Sequence, residues 1–167
     1  MSDDTSARLA FPLLAAGQAQ KEMTVNEALA LIDIAVQASA VAGGIDTPPE
    51  APAAGQCWIV GDSPDGAWSG HAGMLAGWTA DGWRFATPVE GMAVWVSADI
   101  MVWRYIGGTW QAGVLNGHRV SIDGVQVVGP RTVAIGDPEG GAVADAEARA
   151  AVAAILAALR SHGLIEA

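Results

Sequence analysis

The chain is poor in the residues that most often carry chemistry or charge-driven binding. It has one cysteine, one lysine, one tyrosine and two phenylalanines among 167 residues. A lone Cys57 excludes an intramolecular disulfide, and its place in the apolar run Gln56-Cys-Trp-Ile-Val60 points to a buried thiol. Eight basic residues against 18 acidic ones leave a formal charge of -10. Such a balance argues against nucleic acid and against an anionic membrane surface, because both are bound through clustered Lys and Arg. No apolar run is long enough to cross a bilayer. The stretch after Arg8, Leu9 to Ala16, is short, broken by Pro12 and preceded by Asp3 and Asp4, so it is not expected to act as a signal peptide, and the chain is expected to be made in the cytoplasm.

Catalytic machinery is missing in the same way. The histidines stand at 71, 118 and 162 without ligand-spaced neighbours, so no metal site and no cofactor are expected. Asp81, Glu90 and Asp99 lie in turn-like contexts, and nothing pairs two of them as glycoside hydrolysis requires. Gly66-x-x-x-Gly70 and Gly136-x-x-x-Gly140 lack the Lys and Ser or Thr of a phosphate loop. The expectation is a protein with no catalytic residues, not an enzyme.

What is present begins with a helix. Thr24 followed by Glu27 has the spacing of a capping box, which predicts a helix starting at Val25. Val25, Leu29, Ile32 and Val36 recur at helical spacing, and Ala28, Leu31, Ile34 and Ala35 widen the apolar surface. Asn26, Asp33 and Gln37 form a thin polar line. Such a helix is either the centre of a core or an element shared between subunits; the second reading makes Val25, Leu29, Ile32 and Val36 an oligomer interface.

After the proline-bearing loop Asp46-Thr-Pro-Pro-Glu-Ala-Pro52, the chain turns rich in glycine and carries seven tryptophans in all. Short β-type runs cover Cys57 to Val60, Met92 to Val96, Met101 to Tyr105, Arg119 to Ile122 and Val125 to Val128. Gly107-Gly108 and Asp123-Gly124 are the clearest hairpin turns. An internal echo links Pro52-Ala-Ala-Gly55 before Cys57 with Pro88-Val-Glu-Gly91 before Ala93, each copy closing later on a tryptophan, Trp68 and Trp110. Trp68, His71, Trp78, Trp83 and Arg84 cluster here and could bind carbohydrate, since indole faces stack on sugar C–H patches while polar groups meet hydroxyls. The competing reading places Trp78, Trp83, Trp103 and Trp110 in hairpin cores, which leaves Trp68 and His71 as the freer pair. Near the end Asp145 can cap an alanine-rich helix with Val152, Ile155, Leu156 and Leu159 on one stripe, and Gly163 with Leu164 suits a Schellman ending. Val152, Ile155 and Leu159 complete the expected oligomer interface, and His162 suits the helix dipole.

Leu13 to Asp33, with its Ala-Gly-Gln-Ala-Gln-Lys and Asn-Glu-Ala-Leu core, resembles a family of uncharacterised proteins of alphaproteobacterial prophages, tailed phages and gene transfer agents. So does Gly66-Ala-Trp-Ser-Gly-His71 through Gly82-Trp-Arg-Phe85 to Pro88-x-Glu-Gly91, and the ending from Asp145 is similar to those of many tail-fibre and spike proteins. The resemblance implies a virion structural component, a head spike or tail fibre meeting the host surface, with no catalytic residues to carry over. The expected fold is α+β: an arm and assembly helix over residues 1–45, a small antiparallel β-barrel or sandwich rich in Trp and Gly over 46–135, and a linker with an Ala-rich helix over 136–167. The expected partners are copies of itself, as a trimer, other particle proteins and a host glycan, with no nucleic acid and no membrane. The expected task is attachment on a phage-like particle; the alternatives are a dedicated carbohydrate-binding module for receptor recognition and a polysaccharide-degrading spike.

Overall fold

The computed structural model describes residues 5–14, 21–137, 145–161 and 164–165, without the side chains of Lys21 and Ser161. The chain is α+β and divides into two compact units, Met1–Val114 and Leu115–Ala167.

In the first unit the helix α1 spans Lys21–Ala35. It therefore starts before Thr24, and the capping box is not used: the good helix formers Lys21, Glu22 and Met23 carry the helix upstream. Glu27 instead receives Arg84 Nε at 2.7 Å. Two residues of the polar line, Asn26 and Asp33, turn to the arm, while Gln37, past the end of the helix, is exposed. Asn26 exchanges two hydrogen bonds with the backbone of Leu14, at 2.9 and 3.0 Å. Asp33 is only 4% exposed, and its two oxygens accept the N–H groups of Arg8 at 2.9 Å and Leu9 at 2.6 Å. These polar groups seat the arm 5–14 along the helix. The last carbonyls of any helix lack intrahelical partners, and α1 has no basic residue in its final turn. Arg8 supplies the missing charge from the arm: its guanidinium donates to the carbonyls of Asp33, Ile34, Val36 and Gln37.

Directly after α1 come two very short strands, β1 (Ser39–Ala40) and β2 (Gly43–Ile45), then β3 (Cys57–Val60), β4 (Leu75–Thr79), β5 (Gly82–Ala86), β6 (Ala93–Val96), β7 (Met101–Ile106) and β8 (Thr109–Ala112). They form two open four-stranded sheets, ordered β2-β3-β4-β5 and β1-β6-β7-β8, and neither closes into a barrel. In each sheet the first pair is parallel and the rest antiparallel.

The echo in the sequence is thus a structural repeat, and its hydrogen bonds match one for one. Gly55 and Gly91, with φ of 87° and 82°, donate to Trp78 O and Tyr105 O at 2.8 and 2.9 Å. Trp78 and Tyr105 donate in turn to Gln56 O and Met92 O, both at 2.9 Å. Trp78 pairs across its hairpin with Trp83, as Tyr105 does with Trp110. The counterpart of Trp110 is therefore Trp83 and not Trp68. Trp68 belongs to the connection 61–74, which in the second copy shrinks to 97–100.

Alternation along β3 sends Cys57 and Ile59 to one face and Trp58 and Val60 to the other, and all four are buried. The first pair joins Ile34, Ala38, Ala40, Leu75, Val94 and Val96 in a core shared by α1 and both sheets. The second joins Trp68 and Ala76 on the far face of the first sheet. Gly77 lets α1 approach: a Cβ there would lie 2.5 Å from Ile34 Cδ1.

The second unit contains a hairpin, β9 (Val120–Ile122) and β10 (Val125–Val128), and the helix α2 (Ala146–Ser161). The hairpin turns at Asp123-Gly124, φ 50° and 78°, and the β7–β8 turn at Gly107-Gly108, φ 60° and 84°, have the positive angles of tight primed turns. Asp145 caps α2 as expected, accepting Ala148 N–H at 2.9 Å. Leu164 N–H reaches back to Leu159 O at 2.9 Å, as a Schellman closure does. Gly163 and His162 lie outside the described residues. Within the unit, Thr132 N–H meets Leu164 O at 3.2 Å and Arg160 meets Asp137 at 3.0 Å. Among the described residues of this unit, Leu156 and Ile165 are the buried hydrophobic side chains.

Candidate functional site

Four of the five residues expected to bind carbohydrate come together on the far face of the first sheet. Trp68 lies 5.2 Å from Trp83 and 6.2 Å from Trp58, ring centre to ring centre, and Trp78 lies 4.9 Å from Trp83. His71 stacks flat on Phe85 at 3.6 Å. Arg84 is elsewhere: alternation along β5 turns it to the opposite face, where it pairs with Glu27. Trp68, expected to be the freest ring, is 0% exposed. The 3-10 turn Gly66–Trp68 folds the connection back over the sheet and drives the indole between Trp58 and Trp83, so no face is left on which a sugar could stack. Trp78, Trp83 and His71 are half-buried around it.

A different place in the first unit is open. A cleft of about 310 Å³ runs between the inner face of the second sheet and the connection 61–74. Trp103, Tyr105 and Trp110 form one wall; Gly61, Asp62 and Gly73 form the facing one, with Thr109 at the turn. Both indole N–H groups are spoken for, Trp103 Nε1 by Asp99 Oδ2 at 2.8 Å and Trp110 Nε1 by Gly73 O at 2.7 Å. Asp62 is the one carboxylate among the lining residues, which include no Lys, Arg or His. Trp103 and Trp110, which the competing reading of the sequence places in hairpin cores, do pack against the shared core and turn only part of each ring to the cleft. The cleft was not legible from the echo as read in the sequence, which pairs Trp68 with Trp110; it follows from the connection 97–100, too short to deliver a ring equivalent to Trp68.

Cys57 carries no accessible nucleophile. Burial pushes its thiol from 9.0 up to about 11; Arg8 nearby pulls the other way and Asp33 adds to the rise. At pH 8, alkylation by iodoacetamide should be at least about 100-fold slower in the native chain than in guanidinium, because burial both raises the thiol's pKa and keeps the reagent out. Equal rates in the two states would show the thiol to be open to solvent. Among the described residues no group of three His, Cys, Asp or Glu side chains is placed to hold a metal ion, and no helix is long and apolar enough to cross a membrane.

Residues 25–111, a little over half of the chain, match a family described as protein of unknown function, DUF2793. The chain belongs to the DUF2793 family. The DUF2793 segment opens inside α1 and closes inside β8, so it spans both copies of the repeat, the tryptophan cluster and the cleft. The arm 5–14 and the whole second unit lie outside it. No curated protein sequence matches the chain.

The residues expected at an oligomer interface are placed as follows. On α1, Val25 and Ile32 are exposed and Leu29 is half-buried, and Val36, just past the end of the helix, is exposed. On α2, Val152 and Ile155 are exposed and Leu159 is half-buried. The face of α1 that enters the core is carried by Ile34 instead.

Proposed function

We propose that this DUF2793 protein is a non-enzymatic structural component of a phage-like particle, a head spike or tail-fibre part, that assembles from copies of itself, three in the expected state. The observation that carries the assembly reading is the second unit. Val120, Ile122, Val125, Val127 and Val128 of its hairpin region, and Val152 and Ile155 of α2, are all exposed. An isolated two-stranded hairpin is marginal in water, and apolar surface on this scale marks an interface. Charge favours a second copy as the occupant. Residues 1–114 hold four basic and 12 acidic side chains, whereas 115–167 hold four and six, so the net repulsion of the chain is concentrated outside this unit. The alanines of α2 allow identical helices to approach closely, and the hairpin has unpaired edges for strands of sister copies. The place on a particle is supported by the resemblance of Leu13 to Asp33 and of Gly66 to Gly91 to prophage and gene transfer agent proteins.

The test is mass in solution by light scattering. The full chain should run as an oligomer at micromolar concentration, and Val125→Asp with Ile155→Asp, both at exposed positions, should shift it to the monomer with circular dichroism unchanged. A stable wild-type monomer would remove the proposal. A second reading, a carbohydrate-binding module that recognises a host polysaccharide, is favoured by the aromatic cleft.

A further inference from the structure

The repeat allows the two aromatic faces to be compared position by position. In the first copy Ala76, Trp78 and Trp83 occupy the places that Trp103, Tyr105 and Trp110 occupy in the second. The first set is sealed by Trp68, delivered by the connection 61–74. The second copy has only 97–100 at that point, with no ring to deliver, and its aromatic row borders the cleft. One copy has therefore covered its aromatic face with its own indole, whereas in the other the same face closes on the shared core, where Trp103 and Trp110 pack beside Val94 and Val96, and only the part beside the connection 61–74 is left open as the cleft.

We infer that this cleft is a binding site for a single pyranose residue of a neutral polysaccharide. Its volume lies at the lower end for small-molecule sites, ~300–1,000 Å³, which suits one sugar ring better than a larger ligand. A pyranose has a C–H face for the rings of Trp103, Tyr105 and Trp110 and a rim of hydroxyls for Asp62, Thr109 Oγ1 and the glycine backbone opposite. The two tryptophans are held by their N–H bonds to Asp99 and Gly73, and Tyr105 meets Trp110 edge-on at 5.3 Å. The wall is set before any ligand arrives, which lowers the entropy cost of binding. Charge decides the class of sugar. With Asp62 at the rim, no basic lining residue and a chain charge of -10, a uronic or sialic acid would be repelled. This inference gives the glycan-contact reading its site and its sugar class, and it does not depend on the assembly reading.

The experiment uses the full chain labelled with 5-fluorotryptophan, which gives one fluorine signal for each of the seven tryptophans. Signals are assigned by single Trp→Phe variants. The probes are glucose, galactose, mannose and N-acetylglucosamine, with glucuronic acid as the charged control, each to about 50 mM, above the millimolar affinity typical of one sugar ring. At least one neutral sugar should shift the Trp103 and Trp110 signals saturably while leaving Trp58 and Trp68 in place. Tyr105→Ala should weaken binding at least tenfold, and Asp62→Ala, at an exposed rim position that tolerates change, several-fold. The inference is overturned if no neutral sugar moves those two signals, if the shifts survive both substitutions, or if glucuronic acid binds as well as glucose. Light scattering on the Tyr105→Ala variant should return the wild-type mass, so a failed titration would leave the assembly reading standing and a monomeric wild-type chain would leave this one.

Discussion

Replacing Trp68 with alanine should cost about 3–5 kcal/mol of unfolding free energy, the range for emptying a buried aromatic site. The side chain is among the largest fully buried in the described residues, and three elements meet on it: Trp58 of β3, Trp83 of β5 and the 3-10 turn that carries it. Loss of the indole would also loosen the connection 61–74, which then rests on individual hydrogen bonds such as Ser63 N–H to Asp46 Oδ1 at 2.9 Å and Trp110 Nε1 to Gly73 O at 2.7 Å. Trp68→Phe should behave differently. Trp68 Nε1 is buried with no hydrogen-bond partner among the described residues, a burden of about 1–3 kcal/mol that a phenyl ring does not carry. Phenylalanine should therefore recover more than half of the alanine loss. Urea unfolding followed by far-UV circular dichroism reads both variants, and an alanine loss below about 1 kcal/mol would mean that the ring contributes little to holding the first sheet.

Removing the carboxylate of Asp33 should cost about 3 kcal/mol, because two backbone N–H groups bonded to an ionised acceptor lose it together, at roughly 1.5–3 kcal/mol each before compensation by water. The loss should be local before it is global. Asp33 holds Arg8 and Leu9, and Arg8 holds the end of α1, so Asp33→Ala should release the arm and fray the helix from its C-terminal end. Hydrogen exchange at the amides of Arg8 and Leu9 should accelerate to nearly the rate of an unstructured peptide, while the amides of β3 and β4 speed up only in proportion to the global stability lost. Asp33→Asn keeps an acceptor for one of the two donors and should fall between. Unchanged protection at Arg8 in the alanine variant would refute the seat described for the arm.

How far the residues announce this fold depends on what holds each element. The runs Cys57 to Val60 and Met101 to Tyr105 are legible because β-branched and aromatic side chains stand together between turn residues, and both are strands. Leu75-Ala-Gly-Trp-Thr79 and Gly82-Trp-Arg-Phe-Ala86 are not, since glycine and alanine have low strand preference and register with β3 supplies the order. The strands Ser39–Ala40 and Gly43–Ile45 are too short for any periodicity to show. Thr24 and Glu27 have the spacing of a cap, but a longer helix overrides it. Asp33 reads as a water-facing residue because its partners are main-chain donors 24 and 25 positions away. The tryptophan-rich segment is correctly marked as aromatic and clustered. Which rings are enclosed and which line a cleft depends on the length of one connection, 61–74 against 97–100, and the matching hydrogen bonds of the two copies show it where the sequence does not.

The strip from Ser39 to Ile45 gives one strand to each sheet, pairing Ser39 with Trp95 and Gly43 with Ile59. Its partners are made later in the chain, so during synthesis the strip leaves the ribosome first and is completed last, when β6 emerges. Until then it is an unpaired edge, but one of only two and three residues, too short to recruit a stray strand. After closure neither copy of the repeat can come apart without freeing the same strip, so the two sheets should melt in a single transition despite arising from separate stretches of chain.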